Sequence, residues 1–408
     1  MDVNIRDLYG RWSFPHLERT VGAHAVGLTG STCWGDETFS GVDVVKRPVR
    51  GRASAGTVAG FVLRAARESI PRTQVSMAEV LGVDLGTLQG WESGRRPLAN
   101  VKAGALLDLR RRLGGLGADP GVVWLLDAAM DADRIIAAAL EPPDDVRSHP
   151  LASWVHTRDT AHMLAWALTG IAPPALAGRI PASRRGPVAA APLLGAADRT
   201  LFFDRLRRTA EVARRPGGGT LLLRQALYLT SYDRGPESAA WTAHALHARR
   251  RVLARRGWSE HWAEARSTAT ALARLGDPQP LLDFIERSLS GDDAAEAANL
   301  NYWAYWLGGV RLPQSDDRFM QDKELTGWDP VTLLRGLTYG MHHAPGYVDL
   351  YAHTLWALLT AHPWLSQASP RLAHDLAERT GRLLDEGVAS ARACRELDIV
   401  HYVLRDRT

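Results

Sequence analysis

From position 57 onward, apolar residues recur at spacings of three and four, the period that lays one face of a helix against a core. The pattern predicts short helices near 57–69, 74–81 and 86–93 and a longer one near 99–113. In "GADPGVVWLLDAAMDADRIIAAALEPP", Asp119 stands where an N-cap belongs, Pro120 in the first turn, and Pro142 and Pro143 where a helix must stop, so one helix is predicted over 119–140. A helical stretch follows at 151–168, and then "GIAPPALAGRIPASRRGPVAAAP", whose Pro, Gly and Arg content marks a loop or linker. From 193 to the end the helical period returns, broken at "RRPGGG", "DRGP", "GDPQP", "LSGDD", "LPQSDDRFMQDKELTGWDP", "HHAPG" and "AHPW". Short breaks between helices predict neighbours stacked antiparallel. No strict repeat of tetratricopeptide length fits, so a degenerate helical-repeat array stands beside a plain multi-helix domain. The fold class read from this pattern is all-α. Residues 1–56, with "GLTGSTCWGDETFSG", carry no sustained helical period and end in the basic run "KRPVRGR".

Composition narrows the picture. The 408 residues are 46% apolar and 23% charged, a globular balance with enough chain for a sizeable core. The two cysteines, Cys33 and Cys394, form no zinc or redox spacing and suit a reducing compartment. The first twenty residues show no signal peptide, and no apolar run is long enough to span a bilayer, so the expectation is a cytoplasmic protein without a membrane partner. Net charge is only +4, yet positions 46–112 hold thirteen Lys or Arg against five Asp or Glu, leaving the remainder mildly acidic. Such asymmetry fits one segment meeting a polyanion and equally a solvated basic surface.

The stretch "RTQVSMAEVLGVDLGTLQGWESGRRPL", 72–98, supplies the parts of a groove-reading helix pair. Met77, Ala78 and Leu81 make the inner face of a first helix, Gly82 allows a tight turn, Val83 plugs the corner and Asp84 caps a second helix. Leu88 and Trp91 face inward, leaving Leu85, Gly86, Gln89 and Gly90 pointing away as a reading face. Gly94 can end the helix in a left-handed conformation, with Arg95 and Arg96 beyond it to grip phosphate.

With Gln74, Ala78, Gly82, Thr87, Trp91, Glu92 and Gly94 all in register, this stretch resembles the helix-turn-helix of the XRE family, the Cro and phage-repressor type of transcriptional regulator. The preceding "LRAARES" is similar to that family's first helix, so the likeness covers roughly 57–113. The resemblance implies base-facing positions at Asp84, Leu85, Gly86, Thr87, Gln89 and Gly90, and phosphate contacts at Gln74, Arg95 and Arg96. It also implies double-stranded DNA as partner and a homodimer, to which the apolar helices at 119–140 and 371–404 would contribute. The chain then divides into an N-terminal extension with a basic arm (1–56), a helix-turn-helix domain (57–118) and a helical dimerisation or effector domain (119–408). The segments "NLNYWAYWLGG" and "HTLWALLTAHPWL" are similar in general appearance to large actinobacterial regulators of this type, a likeness that names no ligand.

Family members commonly place Arg, Lys, Gln or Asn on the reading face, because those side chains bond bidentately to guanine or adenine. Here only Gln89 offers that chemistry, so close approach through the glycines, or DNA shape, would have to supply specificity. Arg47, Arg50 and Arg52 in "KRPVRGR" are the candidate second contact, an extended basic arm for a narrow minor groove. Val49 interrupts the usual AT-hook order there, and a solvated linker is the competing reading.

Among fourteen tryptophans, Trp303 and Trp306, together with Tyr347, Tyr351 and Trp356, fall in two aromatic-rich segments around a long polar loop. They read either as core or as the lining of a pocket for a small-molecule or peptide effector. His342 and His343, with His353 and His362 beyond, lack carboxylate or thiolate companions at ligand spacing, and no metal or cofactor is expected. No phosphate-cradling loop, nucleophile elbow or zinc-protease motif occurs, so an enzyme is not expected. Two readings remain: a dimeric DNA-binding regulator, and a helical interaction scaffold carrying a helix-turn-helix that does not read.

Overall fold

The computed structural model describes residues 56–179, 189–214, 219–310, 312–322, 327–341 and 346–405. Arg47, Arg50 and Arg52 of the basic arm, and His342 and His343, lie outside the described residues. The architecture is all-helical, with no strand among the described residues. The first part comprises α1 (Thr57–Glu68), α2 (Gln74–Leu81), α3 (Leu85–Glu92), α4 (Ala103–Gly115), α5 (Pro120–Trp124), α6 (Leu126–Leu140), α7 (Pro150–Ser153) and α8 (Arg158–Thr169). Next come α9 (Ala196–Ala213), α10 (Thr220–Thr230), α11 (Pro236–His247), α12 (Arg250–Leu253), α13 (Trp262–Arg274), α14 (Gln279–Phe284) and α15 (Asp293–Trp306). The chain closes with α16 (Pro330–Gly340), α17 (Val348–Ala361), α18 (Leu365–Ala368), α19 (Pro370–Glu386) and α20 (Ala391–Arg405). No helix among the described residues is long and apolar enough to cross a membrane.

Most helix boundaries follow from local chemistry. Thr73, Asp84, Asp119, Thr157 and Asp329 each accept a backbone N–H of the helix they precede, filling an otherwise orphaned donor. Three predicted helices come out differently. The stretch expected over 151–168 is interrupted after Ser153 and restarted at Arg158 by the Thr157 cap. The expected helix over 119–140 is broken at Leu125 into α5 and α6, which lets both Leu125 and Leu126 turn into the core. The expected helix over 99–113 starts later, because Leu98 is pulled inside on a short 3-10 turn and Val101 and Lys102 are non-helical before α4 begins.

One continuous set of buried side chains runs from Val58 to Leu404. Helices pack in succession along it: α1 on α6, α6 on α8 and α9, α9 on α10, α10 on α13, α15 on α17, and α17 and α19 on α20. Ile135 and Ile136 of α6 are wholly buried, each contributing roughly 1.5–3 kcal/mol of apolar burial. This overturns one expectation, since the apolar face of 119–140 is used inside the chain and does not present a dimer surface. The apolar faces of α19 and α20 likewise turn inward through Leu376, Leu383, Leu397 and Val400, although Ile399 and Tyr402 stay exposed.

The tie between α1 and α6 is polar as well as apolar. Asp133 of α6, almost fully buried, accepts the Val58 N–H at 3.0 Å and the Ala59 N–H at 2.9 Å. It therefore caps α1 from seventy-odd residues away, where Gly56 has no side chain to do so. Burial pushes its carboxyl up to about 7 against the opposing pull of the two N–H groups.

Candidate nucleic-acid interface

Two eight-residue helices, α2 and α3, are joined by Gly82, Val83 and Asp84. Gly82 closes α2 with φ +68°, a left-handed conformation that costs glycine nothing, and Val83 sends its N–H back to Ala78 O at 3.0 Å. Asp84 then opens α3, Oδ1 accepting Thr87 N–H at 2.7 Å and Oδ2 the Thr87 hydroxyl at 2.6 Å. Met77 and Leu88 are wholly buried between the helices, and Ala78 leaves room for their close approach.

A second set of contacts fixes this pair on α1. At Gly60 an added Cβ would lie 2.9 Å from Glu92 O, so α1 and the end of α3 meet backbone to backbone. Gly94, with φ +74°, sits equally close to Gly56 and Thr57. Beside this contact Arg67 and Glu92, both more than nine-tenths buried, form a bidentate pair at 2.5 and 3.1 Å. The Gln74 amide donates to Glu92 Oε2 at 2.6 Å. One carboxylate thus holds α1, α2 and α3 in register, and the low dielectric around it strengthens each bond.

What remains outside is small. Leu85, Gly86 and Gln89 are exposed on α3 and Thr87 is half-buried, while the Gln89 amide lies 3.5 Å from Gln74 Oε1. Gly90, expected on the reading face, is buried instead. The Arg96 stem lies over it, and a Cβ there would come within 2.9 Å of Arg96 Cδ. Arg96 also sends its backbone N–H to Gly90 O at 2.9 Å and its guanidinium to the Thr87 hydroxyl at 2.5 Å. Arg95 is exposed, bonded only to the nearby Ser93 hydroxyl at 3.2 Å among the described contacts. The Asp84 carboxyl is held below its ordinary range by the Thr87 hydrogen bonds and by the Arg96 charge, so an acid stands at the tip of α3 with an arginine beside it.

The five aromatic positions of the helical region are taken up by packing. Trp303 and Tyr351 are buried with ring centroids 4.6 Å apart, Trp306 stacks on Tyr302, Trp356 stacks on His353, and the Tyr347 hydroxyl donates to Thr270 O. His353 is fully buried between Glu396 and Glu296, 2.9 Å from each, and Glu396 also receives Arg392. No group of His, Cys, Asp or Glu suited to a metal occurs among the described residues.

Sequence pattern did not single out Arg67, Asp133, Arg224 or Arg266, the buried charges that organise these regions. The available signal was a charge on an apolar helical face, most legible at Arg67 between Leu63 and Ile70. No family model, no curated protein and no solved structure matches the chain.

Proposed function

We propose that the chain is a DNA-binding transcription regulator that lays α3 in the major groove as a helix-turn-helix. The observation that supports this reading is the braced pair α2 and α3. Its outer face is the exposed trio Leu85, Gly86 and Gln89, flanked by Arg95 and Arg96 and held from behind by the Arg67, Glu92 and Gln74 lock. A rigid frame behind a small, glycine-thinned outer face suits close approach to a duplex. Gln89 is the one residue there with bidentate base chemistry, and Gln74, Arg95 and Arg96 are the candidate phosphate contacts. In this reading the protein is cytoplasmic, acts as a homodimer on paired half-sites without enzymatic activity, and is tuned through its helical body. The dimer surface then lies elsewhere than the apolar face of α6.

The engagement of Arg96 by Thr87, together with the acid at Asp84, favours the alternative of a scaffold whose helix pair meets protein. Selection from a random duplex library with the purified protein, followed by titration at two salt concentrations, separates the two. A palindromic motif with steep salt dependence supports the regulator. Absence of binding at low salt refutes it in favour of the scaffold.

A further inference from the structure

Helix α3 contains no arginine or lysine, and at Gly90, across the helix from the buried Leu88 and Glu92, it has no side chain at all. That place is filled from beyond the helix. Gly94 turns the chain back with φ +74°, and the Arg96 N–H closes on Gly90 O at 2.9 Å, which fixes the Arg96 backbone beside the last turn of α3. From there the side chain runs back along the helix. A Cβ at position 90 would lie 2.9 Å from Arg96 Cδ and 3.0 Å from Cγ, so a glycine is what leaves room for the stem.

The guanidinium ends one turn nearer the start of α3, where Nη1 donates to the Thr87 hydroxyl at 2.5 Å. That hydroxyl donates in turn to Asp84 Oδ2 at 2.6 Å, and Asp84 is itself fixed by capping α3 through Thr87 N–H. Stem and head of Arg96 are thus both positioned on the outer side of the helix. Arg96 is nevertheless exposed, and Thr87 takes only one of its several N–H groups. Arg95, beside it, is exposed and bonded only to Ser93 Oγ among the described contacts, which is all that a side chain reaching for phosphate requires.

We propose that Arg96 is a base reader, supplying from beyond α3 the guanine-recognising fork that the helix itself lacks, with Gly90 making room for its stem and Thr87 as the positioning residue. Guanine presents O6 and N7 as neighbouring acceptors in the major groove, and two N–H groups of a guanidinium match them. The first turn of α3, where the head is held, is the part of a recognition helix that meets base edges. The assignment rests on α3 entering the major groove. It gives Arg96 a base as well as a charge near phosphate, so the salt dependence still includes it.

The full chain and the variants Arg96→Met, Thr87→Val and Arg95→Ala are each put through selection from a random duplex library. The parent's motif is then titrated with each guanine replaced in turn by 7-deazaguanine, which lacks the N7 acceptor, and Tm is followed for every variant. The expected motif holds a guanine in each half-site whose replacement weakens the parent roughly tenfold. Arg96→Met keeps a stem over Gly90 and is expected to lose preference at that guanine and become indifferent to the replacement, beyond a uniform loss from its charge, at unchanged Tm. Thr87→Val is expected to reduce the discrimination severalfold, and Arg95→Ala to weaken every sequence alike. No binding by the parent at low salt removes the groove-docking reading and this assignment with it. A parent motif that Arg96→Met recovers unchanged, with uniform weakening, leaves docking intact and makes Arg96 a phosphate contact. A lower Tm in Arg96→Met with the guanine preference kept assigns the arginine to the end of the helix. Each of these three results overturns the proposal, as does a parent motif insensitive to 7-deazaguanine.

Discussion

Replacing Asp133 by Ala removes the only side-chain acceptors that the Val58 and Ala59 amides have among the described residues at the start of α1. Each buried N–H left without a partner costs about 1–3 kcal/mol, so two cost about 2–6 kcal/mol before relaxation. Against this stands the desolvated carboxylate itself, pushed by burial up to about 7 from an unfolded value near 4. A carboxyl whose folded pKa is raised holds more protons in the folded state over that interval, so the wild type loses stability as pH rises from about 4 to about 7. The loss is of the order of 4 kcal/mol at 1.4 kcal/mol per unit. The effect of Asp133→Ala is therefore largest while the carboxyl is protonated: about 1–5 kcal/mol at pH 5, shrinking at pH 8 where the wild type carries the buried charge. Urea denaturation of both proteins at the two pH values measures the difference. Hydrogen exchange at Val58 and Ala59 then shows whether α1 opens locally. A cost below about 0.5 kcal/mol at pH 5, or one that grows with pH, would refute this account of how α6 holds α1.

Four further outcomes follow from particular contacts. Burial pulls the His353 imidazole down, but Glu296 and Glu396 more than offset it and hold it up at about 9. Its stabilisation is complete below pH 6.5 and lost as pH rises through 9, about 3 kcal/mol in all, and His353→Leu should flatten that part of the denaturation profile. Arg95→Ala with Arg96→Ala should weaken DNA at every sequence and lower the log–log salt slope by about 2, and an unchanged slope would contradict the docking geometry. Gly86→Ala puts a Cβ 3.2 Å from Asp84 Oδ1, the oxygen that accepts the Thr87 N–H, so the helix-propensity gain of up to about 1 kcal/mol is offset by the shift it forces on that cap. If α3 approaches the duplex closely there, DNA affinity falls by more than the change in Tm accounts for. Gln89→Ala should relax preference at one base pair by about 1–3 kcal/mol, and uniform weakening at all sequences would remove it as a base reader.

The helical character was legible along the chain because the 3.6 period and the caps are local: Thr73, Asp84, Asp119 and Gly82 act on backbone within a few residues of themselves. The same locality made α2, its turn and α3 readable at nearly their observed bounds. Whatever depended on residues distant in sequence was not. The burial of Gly90 is decided by where the Arg96 stem falls after the chain turns back. The break at Leu125 and the inward face of α6 are decided by α1, α8 and α9 closing over it, so the apolar stripe at 119–140 was visible but its partner was not. Helical period tells that a face will be covered and is silent on what covers it. Charges at Arg67, Asp133, Arg224 and Arg266 look alike in sequence; only packing brings Glu92, two backbone amides and Asp317 to the first three and leaves tyrosine and tryptophan rings around the fourth. Local hydrogen bonding and periodicity set the elements, and long-range burial assigned each buried charge its partner or withheld one.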